Sequence, residues 1–198
     1  MLLSTTYFGP IQWYQKLHRY QQVEIEQHET FVKQTYRNRC VIATAQGTQA
    51  LTVPVVHDDH CSIQHLRISD HGNWRHLHWQ AITSAYGDSP FLEYYEDDLR
   101  PFFFERRWEY LLDYNEDICR TMCCLLDIHP TISRTAAYEP HPDTDDFRLA
   151  INPKHPAPDA TFVPRPYYQV FGQRHGFLPN LSILDLLFNM GPESIFYL

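Results

Sequence analysis

Glycine is scarce in this chain, with seven in 198 residues. So few leave little material for a backbone cradle around nucleotide phosphates. No glycine-rich phosphate loop, dinucleotide fingerprint, nucleophile elbow or kinase signature occurs. No apolar run approaches the roughly 20 residues that cross a bilayer. The opening, Met1 to Pro10, also lacks the basic region of a secretory signal. The chain therefore reads as cytoplasmic, with no membrane span. Lysine is nearly absent: 3 of the 16 basic residues, against 13 arginines. A formal net charge of -8 excludes wrapping nucleic acid by general electrostatics. The five cysteines are odd in number, and Cys119, Cys123 and Cys124 crowd a helical stretch where they pack as small hydrophobes. A disulfide framework is not expected.

What is present is apolar bulk. Hydrophobic residues make up 43% and aromatics 15% of the chain, too much for disorder and enough for a core without staples. No internal repeat or low-complexity linker interrupts it, so one domain over residues 1–198 is the simplest reading.

The pattern along the chain predicts the α/β class. Leu2 to Phe8 reads as a strand, Ile11 to Arg19 as a helix opened by Pro10, and Val23 to Gln27 as a second strand. That β-α-β unit implies a parallel pair with a crossover helix. Arg39 to Ala45 and Gln49 to Val56 flank Gln46-Gly47-Thr48 as a hairpin, completing a mixed sheet. Pro54 puts the second of these strands at an edge, or lets it pair on one side only near Pro54, and Ser62 to Ile68 suits one more short strand. Helices are expected over Trp74 to Tyr86, Phe91 to Leu99 and Glu105 to Leu126, giving a helical middle. Pro140 to Pro166 holds seven of the 14 prolines and should be irregular. Tyr167 to Phe171 reads as a last strand. Ile183 to Asn189 reads as a C-terminal helix, capped by Asn180 or Ser182 and ended by Gly191.

Several residues have the types that carry chemistry. Lys33, Arg37, Asn38 and Arg39 cluster ahead of a strand, where Arg37 and Arg39 point the same way and suit bidentate binding of phosphate or carboxylate. A solvated hairpin entrance explains them equally simply. His78 falls on the apolar face of its helix, which makes its pKa sensitive to its surroundings. A core histidine with satisfied nitrogens accounts for the same placement. Asp185 is a lone carboxylate in a strongly apolar helix, serving either the helix dipole or a site. His57-Asp58-Asp59-His60-Cys61 is rich in metal-ligand types, but its spacing matches no standard zinc pattern, so no metal is expected. No cofactor is read from the sequence.

The stretches Tyr7-Phe8-Gly9-Pro10-Ile11, Gln27 to Cys40, Ala50 to Val55, His78-Trp79 to Asp98 and Tyr168 to Gly191 together resemble the WbqC-like proteins. The resemblance covers nearly the whole chain and is nearest the form found in Bacteroides-type bacteria. It implies a place in O-antigen or other surface-polysaccharide synthesis, modifying a sugar precursor by acyl or aminoacyl transfer to an amino sugar. The better-known members carry a His-Gln-Pro style motif after the first strand, where this chain reads Phe8-Gly9-Pro10.

The leading expectation is then an enzyme acting on an anionic sugar-linked small molecule. In it Lys33, Arg37, Asn38 and Arg39 hold the ligand, His78 acts as general base and Asp185 is its charged partner. The alternative is a non-catalytic protein partner in a polysaccharide-assembly complex, docking through Tyr94, Tyr95, Phe102, Phe103 and Phe104.

Overall fold

A computed structural model describes residues 1–56 and 61–198. The chain runs β1 (Leu2–Ser4), α1 (Ile11–Arg19), β2 (Gln22–Glu26), β3 (Arg39–Thr44), β4 (Gly47–Thr52), β5 (Val55–Val56) and β6 (Arg67–Ile68). It continues through α2 (Trp74–Tyr86), α3 (Leu92–Leu99), α4 (Pro101–Phe104), α5 (Leu111–Leu125), β7 (Thr131–Arg134), α6 (Gly172–His175) and α7 (Ile183–Met190). The α/β class and the β-α-β opening stand as read. β1 and β2 are parallel, with Leu3 opposite Ile25, and α1 crosses between them.

The periodicity located α1 and α2 without error, and Ser182 caps α7 by accepting from the Leu184 amide. Elsewhere tertiary pairing overrode the local pattern. A third parallel strand, β7, lies beside β2 with Val23 opposite Ile132. Its four residues, Thr-Ile-Ser-Arg, are too short and polar to signal a strand. The hairpin β3–β4 forms a ladder of its own, and β5 leaves it to pair with β6. The long middle helix begins at Leu111, not Glu105, because the residues before it are drawn into pairing with β6. The Ile68 amide donates to the Glu109 carbonyl and the Leu111 amide to the Leu66 carbonyl. Residues 167–171 form no strand.

The core is aromatic. Tyr7, Tyr14, Tyr86, Tyr114, Phe102, Phe103 and Phe188 are all essentially buried. Phe8 stacks on Phe103 and Phe102 on Trp108, with centroids 6.1 and 5.4 Å apart. This overturns the aromatic docking patch: Tyr95, Phe102 and Phe103 are core residues, Phe104 is half-buried, and Tyr94 is the exposed one. Leu92, Tyr95, Leu99, Phe102 and Phe103 of α3 and α4 turn inward, where these helices pack on α7 and α2, and so are removed from the surface.

The proline-rich stretch is irregular as expected, yet it is tied down as a strap across β1 and α1. The Leu2 amide donates to the Asp145 carbonyl, and the Phe147 amide to the Leu2 carbonyl. Fully buried Lys16 pairs with Asp159 at 2.5 Å and donates to Thr161 Oγ1 at 2.6 Å. Burial would raise the Asp159 carboxyl, but donors from Lys16, Thr161 and Gln12 hold it well below the usual carboxylate range.

Candidate functional site

In open α/β sheets ligands collect beyond the carboxyl ends of parallel strands. Here those ends are Ser4, Glu26 and Arg134. After Ser4 the chain turns away: the Trp13 indole donates to the Ser4 carbonyl at 2.9 Å, and Phe8 takes a φ of 40°. Gly9 is required at this turn, since a Cβ there would stand 2.4 Å from Thr6 Oγ1.

Two buried ion pairs close the polar end of the sheet. Glu26, fully buried, accepts from Thr135 Oγ1 at 3.0 Å, from the His28 amide at 2.7 Å and from Arg148 at 3.3 Å. Arg37 grips Glu29 through Nε at 2.8 Å and Nη2 at 2.6 Å, and also donates to Ser4 Oγ at 2.8 Å. A buried charge is tolerated only when paired in this way.

Beside this cluster, α5 stands off the sheet and leaves a groove of about 620 Å³. One part is polar, with Thr5, Thr6 and Asn115; another is apolar, with Trp13, Ile25, Ile128 and Ile132. Asn115 Nδ2 donates to the Arg37 carbonyl at 2.8 Å, which orients the amide and leaves Oδ1 as the free end. Asn115 Oδ1 and Thr6 Oγ1 are both buried and have no hydrogen-bond partner. Such atoms ordinarily find one, so their isolation calls for an explanation. Cys119 and Cys123 also line the groove, their sulfurs 4.0 Å apart, and Cys124 opens onto it from an exposed position. The neighbouring Cys123 and burial both push the Cys119 thiol up, so it stays protonated and weakly polar.

None of the candidate catalytic or ligand-binding residues read from the sequence lines this groove; the three cysteines read there as small hydrophobes do. Arg37 adjoins it through its carbonyl, while its guanidinium is spent on Glu29 and Ser4. Asn38 is buried and donates to the Val53 carbonyl at 2.9 Å. Arg39 is half-buried against Thr52 Oγ1, and Lys33 is exposed. His78 and Asp185 are not brought together. His78 Nδ1 meets the Tyr7 hydroxyl at 2.9 Å. Burial pushes the imidazole down to about 4, against a smaller upward pull from the Thr52 carbonyl. Asp185 accepts from Tyr86 at 2.9 Å, Tyr167 at 2.6 Å and Gln169 at 2.9 Å. Burial raises its carboxyl and these three donors lower it, with burial prevailing. Residues 57–60 of the His-Asp-Asp-His-Cys run lie outside the described residues. Among those described, no cluster of three metal-ligand side chains occurs.

Sequence reasoning missed Thr5, Thr6 and Asn115. The available signal was the Ser4-Thr5-Thr6 run directly after the first strand of a β-α-β unit, where the carboxyl-end rule points.

The model of the WbqC-like protein family matches residues 5–159. An uncharacterized protein of Mycobacterium tuberculosis is 30% identical, over 85% of this chain and 83% of its own length. No solved structure matches significantly.

Proposed function

The chain belongs to the WbqC-like protein family, and we propose that it binds a sugar-linked small molecule in the groove beneath α5 and modifies it by acyl or aminoacyl transfer to an amino sugar, within surface-polysaccharide synthesis. One observation carries this reading: a groove of about 620 Å³ lies between α5 and the parallel sheet and takes in the turn that follows β1, with both polar and apolar residues in its lining. That volume suits a small molecule.

In this reading Arg37 is a positioning residue, whose carbonyl orients Asn115 while its guanidinium holds the neighbouring loop through Glu29. Lys33 and Arg39 remain the candidates for an anionic end of the precursor. His78 and Asp185 act through the fold, each engaged with tyrosines away from the groove.

The test is a thermal-shift panel of sugar nucleotides and acyl donors with the full chain. At least one should raise the melting temperature, and Cys124→Trp, placed at the exposed groove wall, should abolish that shift while leaving the free protein as stable as before. A panel with no shift at all would sink the proposal in favour of a non-catalytic role in an assembly.

A further inference from the structure

Most of the arginines in this chain are spent on its own carboxylates. Among the described residues, seven of the 13 form an ion pair with an aspartate or glutamate. Two that do not, Arg19 and Arg165, line one cavity of about 400 Å³ together with His18. It lies on the face of α1 turned away from Trp13, since Gln15, His18 and Arg19 fall opposite that side chain at helical spacing.

The proline-rich strap builds this cavity. The Thr161 carbonyl accepts from Gln15 Nε2 at 2.8 Å and from Arg19 Nη1 at 3.4 Å, which lays the strap along the last turns of α1. Arg165 Nη1 donates to the Phe196 carbonyl at 2.8 Å and so ties the strap to the last residues of the chain. Each guanidinium is thus oriented by a main-chain carbonyl. An arginine carries five N–H donors, so both keep donors to spare.

Little negative charge opposes them. No aspartate or glutamate lines the cavity, and Leu198 in its wall brings at most one carboxylate against two guanidiniums. Asp159 accepts from Thr161 Oγ1 at 2.6 Å from outside the lining, but fully buried Lys16 already neutralises it. The result is a cationic cleft on a chain of net charge -8, and such a cleft concentrates anions. Phe162, Val163 and Tyr197 complete the wall with apolar surface.

We infer that this cavity binds the phosphate group of a small phosphorylated molecule, held by Arg19 and Arg165 with His18 beside them. The two guanidiniums come from separate elements, α1 and the strap. That suits a tetrahedral dianion, which accepts donors from several directions, better than a flat carboxylate, which a single guanidinium fork fills. The site is separate from the groove beneath α5 and stands whether or not that groove holds a ligand.

Arginine labelling by phenylglyoxal reads the site directly. On the full chain, with peptides mapped and ionic strength held constant by sodium chloride, the probes are inorganic phosphate, glucose 1-phosphate and acetate. At about four times its Kd, either phosphate compound should slow labelling of Arg19 and Arg165 about fivefold. Exposed Arg107 and Arg174 should label at an unchanged rate, and acetate should protect nothing. Arg165→Gln should weaken phosphate about tenfold or more, read at Arg19, with the melting temperature unchanged because Arg165 is exposed. Protection by acetate equal to that by phosphate would overturn the inference, since the patch would then take any anion. So would an unchanged phosphate Kd in Arg165→Gln, protection by phosphate without protection by glucose 1-phosphate, or no protection by either.

Discussion

Asp185 and Asn115 are both polar residues on helices packed into the interior, and their surroundings could hardly differ more. Asp185 sits on α7 with three donors directed at its carboxylate from Tyr86, Tyr167 and Gln169. Asn115 sits on α5 at the edge of the groove, with its amide nitrogen anchored and its oxygen unpartnered. A buried polar group with all its bonds made specifies one arrangement of the chain, whereas one left open carries its desolvation cost uncompensated. The lone carboxylate drew attention in the sequence, yet the asparagine has the more informative environment.

Substitutions can break this contrast. The largest effect is expected at Asp185→Leu, which strands two tyrosine hydroxyls and a glutamine amide in the core. Stability measured by urea denaturation should fall by about 5 kcal/mol, and a loss below about 1 would mean the cluster does not hold α7. Next comes Arg37→Met, which leaves Glu29 buried without its guanidinium and should cost about 4 kcal/mol in the same assay. Arg37→Lys should recover part of that loss, since it restores the charge without the bidentate grip. If Arg37→Met folds normally, the polar end of the sheet is looser than its hydrogen bonds imply.

His78 gives a pH-dependent effect. Its folded pKa, near 4, lies below the ordinary histidine value of 6.5, so the unfolded chain takes up a proton first as the solution is acidified. The stability it contributes is therefore complete above about pH 6.5 and is lost as pH falls toward 4, by about 3 kcal/mol in all. His78→Gln should flatten the stability–pH curve in that window, and an unchanged slope would show that other groups produce it. The smallest effect on the fold, and the sharpest test of the comparison, is Thr6→Val. Removing a hydroxyl that has no partner should leave stability unchanged or raise it by up to about 1 kcal/mol in urea denaturation, and a loss above about 1 would show that the hydroxyl is bonded after all.

The legible parts of the molecule are those whose cause is local. α1 shows its start in Pro10 and α2 its stripe of Trp74, His78, Ile82 and Ala85, because each buries one face at helical spacing, although Leu77, which the same spacing puts in the stripe, is exposed. Ser182 and Gly191 bracket α7 for the same kind of reason. Gly191 adopts a φ of +55°, and a Cβ there would meet the Phe91 ring at 2.7 Å. β7 was not legible, because Thr131–Arg134 becomes a strand only by finding β2 about a hundred residues earlier in the chain. Arg37 illustrates the limit for side chains. Its cation and bidentate geometry were readable, but not that Glu29, eight residues away, had already taken it.

The groove lies wholly beyond that limit. Its wall gathers the turn after β1, the first turn of α1, Ile25 of β2, one side of α5 and residues of β7 and the segment before it, and no window of sequence contains them together. By itself the sequence determined the α/β class, the helices with strong periodicity, the irregular proline-rich strap and the family. Each follows from residue-level propensity or from patterns within a short span. Only the tertiary structure decided which polar atoms would be satisfied. Pairing a buried group depends on partners brought from far along the chain, as Tyr86 is brought to Asp185, whereas no partner reaches Asn115 Oδ1 or Thr6 Oγ1.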